Sequence, residues 1–237
     1  MRRRFFVDEV RNGQAKVAGD EAHHLTKVLR VEAGERYEIS DNRSVYLAEV
    51  ETARKQEVVF RTLEKLPPEP ALVRITLCAA LIKFDHFEWM IEKATELGVA
   101  EIVPVVAIRT EYGLDKAAPK RRERWRRIAL EASQQSRRAH LPEIRATCTL
   151  TEALALEADY RYVLDEQPGG RALASAFPVE RGSAHSVALL VGPEGGWTDA
   201  EREQFTWTPV TMGPLILRAE TAAIAALAVT ANAWLVN

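Results

Sequence analysis

Between Val187 and Val191 five consecutive residues are apolar, and the run stops abruptly at Gly192-Pro193-Glu194-Gly195-Gly196. A short unbroken apolar run reads as a strand buried on both faces, as strands of parallel sheets are. Thr198 with Glu201 three residues later makes a capping box, so a helix starts near Thr198. The same grammar fills the chain from residue 74 onward. Residues 74–80, 102–107, 144–147, 160–165 and 208–212 read as further strands. Residues 85–97 read as a helix, with Phe87, Met90, Ile91, Ala94 and Leu97 on one face and Gly98 ending it. Pro119 suits the first turn of a long helix reaching about residue 138. Residues 220–235 predict a closing helix with Ile224, Leu227, Ala231 and Trp234 or Leu235 aligned on one side. Strands separated by helices predict an α/β fold, a mostly parallel sheet with helices on both faces.

The first third reads differently. Residues 4–7, 36–40, 45–53 and 58–63 are short alternating strands, and Asp41-Asn42-Arg43-Ser44 makes a hairpin turn between the second and third. Asp20 is placed to cap a helix over residues 21–30 with Leu25, Val28 and Leu29 on one face. A small barrel or curled sheet is the natural architecture. Pro67-Pro68-Glu69-Pro70 then makes a stiff, extended connector. The expected domains are therefore residues 1–67 and 71–237.

Composition narrows the classes. The chain has 237 residues, 28% charged and 47% hydrophobic, which suits a globular protein of one large or two modest domains. A net charge of -2 excludes a polycation built throughout for nucleic acid. Locally the balance shifts: between Lys116 and Arg145 stand ten Lys or Arg against three acids, either a solvated helix face or a footprint for RNA phosphates. Cys78 and Cys148 have no Cys or His at metal spacing and read as free thiols. His23 and His24 would point about 100° apart on a helix and cannot easily share an ion, so no metal is expected. No run approaches the ~18 apolar residues of a membrane span, and the basic Met1–Arg4 is followed by no apolar signal region. A cytoplasmic protein without a membrane partner is expected.

The Gly192–Gly196 turn permits close approach of a ligand to the backbone. It lacks the Lys-Ser or Lys-Thr of a phosphate loop, since Trp197-Thr198 follows, and it lacks the Gly-x-Gly-x-x-Gly dinucleotide pattern. Two readings stay open: a tight turn with no ligand, or a site that reads an adenine or ribose through main-chain groups. A second Gly-Pro loop, Gly213-Pro214, leads through Leu215-Ile216-Leu217 to Arg218, Glu220 and an apolar helix. Taken alone, Glu220 favours the positive end of that helix and Arg218 pairs with a neighbour.

Taken jointly, these residues resemble a known family. They are Gly192-Pro193-Glu194-Gly195-Gly196, then Glu201 or Glu203, and Leu215-Ile216-Leu217-Arg218 with Glu220-Thr221-Ala222. To them add Lys93-Ala94-Thr95-Glu96-Leu97-Gly98-Val99, Glu131-Ala132, Gln135-Ser136, Arg138 and Pro142-Glu143-Ile144, with His23-His24-Leu25 and Lys27-Val28-Leu29-Arg30 in the first third. The chain resembles the SPOUT class of S-adenosylmethionine-dependent RNA methyltransferases, and within it the family that methylates N3 of one uridine in 16S rRNA of the small ribosomal subunit. The resemblance implies a trefoil-knotted C-terminal domain, a PUA-like N-terminal barrel and a homodimer. It implies S-adenosyl-L-methionine as cofactor, held by Leu164, Asp165, Val191, Gly192, Pro193, Glu194, Gly195, Gly196, Met212, Gly213, Leu215, Ile216 and Leu217. Arg218, Arg138, Glu194 and Glu220 become the catalytic candidates, and Arg2, Arg3, Arg4, Lys27, Arg30, Arg137 and Arg138 the RNA contacts. The chain departs from the family pattern at Gln134, Arg137 and His140. Other readings within reach are the same fold acting on a ribose 2′-hydroxyl, or a non-catalytic RNA-binding assembly factor.

Overall fold

In the computed structural model, which describes residues 3–68, 73–167 and 169–235, the chain forms two units: Met1–Pro70 with Ser133–Leu141, and Ala71–Ala132 with Pro142–Asn237. Pro67 and Pro68 carry no regular structure, and Glu69 and Pro70 of the expected connector lie outside the described residues.

The first unit holds β1 (Arg4–Phe6), β2 (Gln14–Ala18), α1 (Gly19–His23), β3 (Arg36–Ser40), β4 (Val45–Arg54) and β5 (Glu57–Lys65), with strand order β1-β3-β4-β5-β2. The hairpin turns where expected, because Asp41 Oδ1 accepts the backbone N–H groups of Arg43 and Ser44 at 3.0 and 2.7 Å. Two features differ from the sequence reading. β2 was unexpected: its inward side chains are only Ala15 and Val17, too small to mark a strand by pattern. The helix expected over residues 21–30 is a single turn, α1, continued by a π-helical turn His24–Val28. Asp20 lies inside its first turn instead of capping it; Ala18 is the N-cap, without a side-chain bond. The wider winding buries Leu25 and turns Val28 outward, 63% exposed, off the apolar face expected for it. Segment Ser133–Leu141 packs into this unit through Ser40 Oγ, which donates to the Ala139 carbonyl at 2.6 Å, and Asn42 Oδ1, which accepts from Leu141 N–H at 2.7 Å.

The second unit alternates strand and helix: β6 (Arg74–Ala80), α2 (Phe84–Glu96), β7 (Glu101–Val106), α3 (Leu114–Ser136, its last turn counted with the first unit), β8 (Glu143–Ile144), β9 (Cys148–Thr149), α4 (Leu150–Leu154), β10 (Tyr160–Leu164), α5 (Leu173–Ala176), β11 (Ser186–Val191), α6 (Asp199–Arg202), β12 (Thr208–Val210) and α7 (Ala219–Leu235). Every pairing is parallel, in the order β12-β10-β11-β6-β7-β8, with β9 also on β7. Period-two alternation explains the unbroken apolar runs. Val187, Leu189 and Val191 of β11 enter the core shared with α2, α3 and α7, while Ala188 and Leu190 enter a second core with α4, Trp197 and Trp207.

Three expectations shift in detail. The strand at 144–147 is instead two short pieces, β8 and β9, because the chain leaves β7 between them. Pro119 lies beyond the first turn of α3, which begins at Leu114. The buried stripe of α7 is Ala219, Glu220, Ala223, Ala226, Leu227, Thr230 and Trp234, so Ile224 and Ala231 are only partly buried and Leu235 is exposed. Alanine packs against a sheet as well as leucine does where the helix approaches closely, and the pattern of large residues alone pointed about a third of a turn away.

Candidate active site

The strand order reverses at β11, which lies between β10 and β6 although both precede it in the chain. Loops leaving such a reversal diverge and open a crevice at the carboxyl ends of the strands. Here the crevice encloses about 260 Å³ between the end of β10, the loop after β11 and the loop after β12. All thirteen residues expected to hold a cofactor line it: Leu164, Asp165, Val191, Gly192, Pro193, Glu194, Gly195, Gly196, Met212, Gly213, Leu215, Ile216 and Leu217.

Trp197, fully buried, forms the floor of the loop after β11. Its indole N–H donates to the Leu164 carbonyl at 2.9 Å, tying that loop to the end of β10. A Cβ at Gly192 would stand 2.9 Å from the Trp197 ring, so only glycine fits there. Gly196 has φ +67 and the Glu166 carboxylate packed against it. The capping box of α6 forms as expected, and Glu201 has a further use: its other oxygen accepts the Ile108 N–H at 2.8 Å. Arg109, next in sequence, donates to the Gly195 carbonyl. Arg202 clasps Asp165 through two nitrogens at 2.9 and 3.0 Å and reaches Glu166 at 3.2 Å. Sequence reading missed Trp197, Glu166, Arg109 and Arg202. Trp197 carries a signal in its place after Gly195-Gly196; Arg109 carries none, since it reaches the loop only through sheet pairing.

The second wall is apolar and open. Leu215 and Ile216 are 78% and 88% exposed, and among the described residues the N–H groups of Leu215, Ile216 and Leu217 donate to no backbone carbonyl. Apolar side chains, unspent backbone donors and two carboxylates at the far side fit a ligand that is part flat and apolar, part hydroxylated. A nucleoside bearing an amino-acid tail has that chemistry.

The catalytic candidates separate. Glu194 is exposed on the lip of the crevice, and Arg218 is exposed just before α7. Glu220 is buried, with Oε1 3.2 Å from His86 Nδ1. Arg138 belongs to the segment counted with the first unit, where its Nε donates to the His140 carbonyl at 3.1 Å. Of the RNA candidates, Arg3, Lys27 and Arg30 are exposed, Arg137 is half-buried, and Arg2 lies outside the described residues. Arg4 is nearly buried and spends its guanidinium on Glu38 at 2.9 Å and the Arg137 carbonyl at 2.7 Å, which makes it a brace of the first unit. Much of the basic stretch is engaged as well: Arg121 and Arg124 pair with Glu88, and Arg122 donates to the Ile144 carbonyl. Burial pushes both thiols up, Cys148 to about 11, so neither is a nucleophile at neutral pH. Among the described residues no helix is long and apolar enough to cross a membrane, and no three His, Cys, Asp or Glu gather at metal-binding distance.

The reversed parallel sheet with its two Gly-Pro loops, and the small five-stranded unit before it, define a class. The family model for the RNA methyltransferase domain matches residues 68–231, and that for the RNA methyltransferase PUA domain matches residues 17–63. The chain belongs to the ribosomal RNA small subunit methyltransferase E family. It is 32% identical to the Bacillus subtilis protein of that name over 89% of this chain and 87% of the relative. A ribosomal RNA small subunit methyltransferase E from Neisseria gonorrhoeae, bound to S-adenosyl methionine, superposes with a TM-score of 0.86 at 27% identity over 99% of this chain and 98% of that one. A methyltransferase from Legionella pneumophila with bound SAM superposes at 0.85, with 29% identity over 97% and 96%.

Proposed function

We propose that the protein transfers the methyl group of S-adenosyl-L-methionine to N3 of a uridine in 16S rRNA of the small ribosomal subunit. One observation carries the reading: the crevice at the ends of β10, β11 and β12 is walled by backbone-rich Gly-Pro loops, in a chain whose solved relatives hold this cofactor in the same fold. When bound, the sulfonium supplies an activated methyl group. Asp165 and Glu166, fixed by Arg202, would accept from the ribose hydroxyls, and Leu215, Ile216 and Leu217 would offer apolar cover to the adenine. Arg218, exposed beside the crevice, orients the base and stabilises its oxygens, and Arg138, in the segment counted with the first unit, is the second catalytic candidate. Arg3, Lys27 and Arg30 on the first unit hold RNA phosphates, which position the substrate without reading its sequence.

The family relationship leads us to infer a trefoil-knotted second unit and action on ribosomal RNA in the cytoplasm, and the apolar outer side of α7 offers a surface for a second copy of the chain. Mass spectrometry of rRNA nucleosides tests the target. A strain lacking the protein is expected to lose one N3-methyluridine from its small subunit; loss of a ribose-methylated nucleoside instead would overturn the reading. Calorimetry with S-adenosyl-L-methionine tests the cofactor, since a non-catalytic assembly factor with a relict crevice gives no heat.

A further inference from the structure

At one end of the five-stranded sheet the first unit leaves a groove of about 450 Å³, lined by none of the residues of the cofactor crevice. Arg3 precedes β1 and Glu35 precedes β3, and the parallel pairing of these strands sets both at that end. Part of the lining is aromatic, since Tyr37 lies against Phe5 with ring centroids 5.0 Å apart. Part is the π-helical turn His24–Val28, whose wide winding brings Val28 out of the core and into the groove. Such turns concentrate at functional sites. Two residues on, Arg30 is exposed on a left-handed backbone with φ +54, a strained conformation that proteins retain where it serves a site. The polar groups are placed as deliberately. Glu35 Oε2 accepts from the Tyr37 hydroxyl and from the Glu32 N–H, each at 2.8 Å, which fixes the carboxylate. The same two bonds hold its carboxyl below the usual range, so it is ionised at neutral pH. Oε1 accepts from no group among the described residues. Arg36 is engaged with Glu49 at 3.1 Å, but the exposed Arg3 guanidinium forms no ion pair among the described residues. A flat apolar body, an N–H edge for Oε1 and a phosphate for Arg3 are together the parts of one nucleotide. An acidic peptide would set its charge against Glu35, and a purely apolar segment would leave Oε1 and Arg3 unused.

We propose that this groove takes one unpaired nucleotide of the RNA substrate, its base against Val28 and the Tyr37 ring, its N–H edge on Glu35 Oε1 and its phosphate on Arg3. The inference rests on the RNA-methylating reading above and deepens it, because a base held in a groove carries sequence information that a phosphate contact does not. This nucleotide is not the one methylated, since the crevice for the methyl donor is lined by the second unit alone. Only a base free of its helix can enter, so the groove selects a loop or bulge over a duplex. Guanine, with an imide and an amino N–H side by side, suits a carboxylate acceptor best. Val28, Glu35 and Arg3 are positioning residues: they hold the RNA and touch no reacting atom.

The test uses the full-length protein with two short single-stranded RNAs, one carrying guanine between abasic neighbours and one wholly abasic. In fluorescence anisotropy the wild type should bind the guanine-bearing RNA about tenfold more tightly, as stacking of a single base allows. Val28→Asp and Glu35→Gln should remove most of that difference. Arg3→Ala should instead weaken both RNAs alike and flatten the dependence on salt. Val28 is 63% exposed, so its replacement leaves the core intact, and an unchanged melting temperature verifies this. With small ribosomal subunits lacking the modification, Val28→Asp should raise KM severalfold while kcat holds. Val179→Asp, at a 93% exposed position of the second unit, is the control and should change neither. Ultraviolet irradiation of the wild type with the same subunits should cross-link a nucleobase to the peptide that carries Tyr37. Equal affinity of the wild type for the two RNAs overturns this inference alone, as does a Val28→Asp protein that keeps both the discrimination and the KM. A wild type that discriminates between the RNAs but makes no N3-methyluridine overturns the functional reading alone.

Discussion

A methyl group at position 192 would stand 2.9 Å from Trp197, whose ring cannot retreat because its N–H is bonded to the Leu164 carbonyl. Gly192→Ala is therefore expected to cost about 1–3 kcal/mol in chemical denaturation and to weaken S-adenosyl-L-methionine binding, since the loop must move to make room. Arg218→Ala tests a different quality: it should abolish methyl transfer while leaving cofactor affinity intact, and near-normal turnover removes Arg218 from the chemistry. Glu21 gives a pH signature. Burial, with Asp8 nearby, raises its carboxyl above the usual 4.5, partly opposed by a hydrogen bond with Gln134. The neutral form thus favours the fold below the unfolded value, and that contribution is lost as pH rises through the raised folded value. Glu21→Gln should accordingly stabilise the protein near pH 7 and change little near pH 3, as paired denaturation curves would show. Residues of this kind differ in how well they announce themselves. Gly192 was legible because a glycine after an apolar run has few other uses. Arg137 was not: it has φ +58 at the end of α3, where Arg138 N–H bonds back to the Ser133 carbonyl in the manner of a glycine cap. A small residue is expected at such a place, and nothing about an arginine reveals the left-handed backbone beneath it.

Among elements, the loop after β11 is held at three points: the Gly196 N–H on the Pro193 carbonyl at 2.8 Å, the Trp197 indole below, and Arg109 on the Gly195 carbonyl. Only the last comes from another strand's loop. Arg109→Ala should lower cofactor affinity about tenfold, the worth of one charged hydrogen bond, with little change in melting temperature; an unchanged calorimetric affinity would show that the first two ties suffice. The parallel strands were legible as unbroken apolar runs, and the Thr198–Glu201 box marked α6 correctly. Elements built from small residues were harder to read. β2 shows only Ala15 and Val17 to the core, and α7 buries Ala219, Ala223 and Ala226 ahead of Ile224. In both, close backbone approach replaces bulk, and a pattern of large side chains cannot register it.

For the whole molecule, α7 turns Thr221, Ile224, Ala225, Ala228, Asn232 and Leu235 away from its own sheet, and Leu235 is 64% exposed. If a second copy covers this side, sedimentation equilibrium at micromolar concentration should return twice 26.5 kDa, and Ile224→Asp should return the monomer. The crevice could be anticipated because each wall is a contiguous loop, whereas the His86–Glu220 pair could not, since it joins positions far apart in sequence through the packing of α2 on α7. The placing of β11 has a consequence for how the protein is made. Ser186 pairs with Arg74, so the ladder that completes the sheet closes 186 − 74 = 112 residues of chain. Such non-local parallel pairing folds slowly, and synthesis delivers β6, β7 and β10 to the ribosome's exit before the strand that must enter between them. A nascent chain halted short of Ser186 therefore has β10 without either of its neighbours and no crevice, and competence to hold a ligand arrives only with the last quarter of the polypeptide.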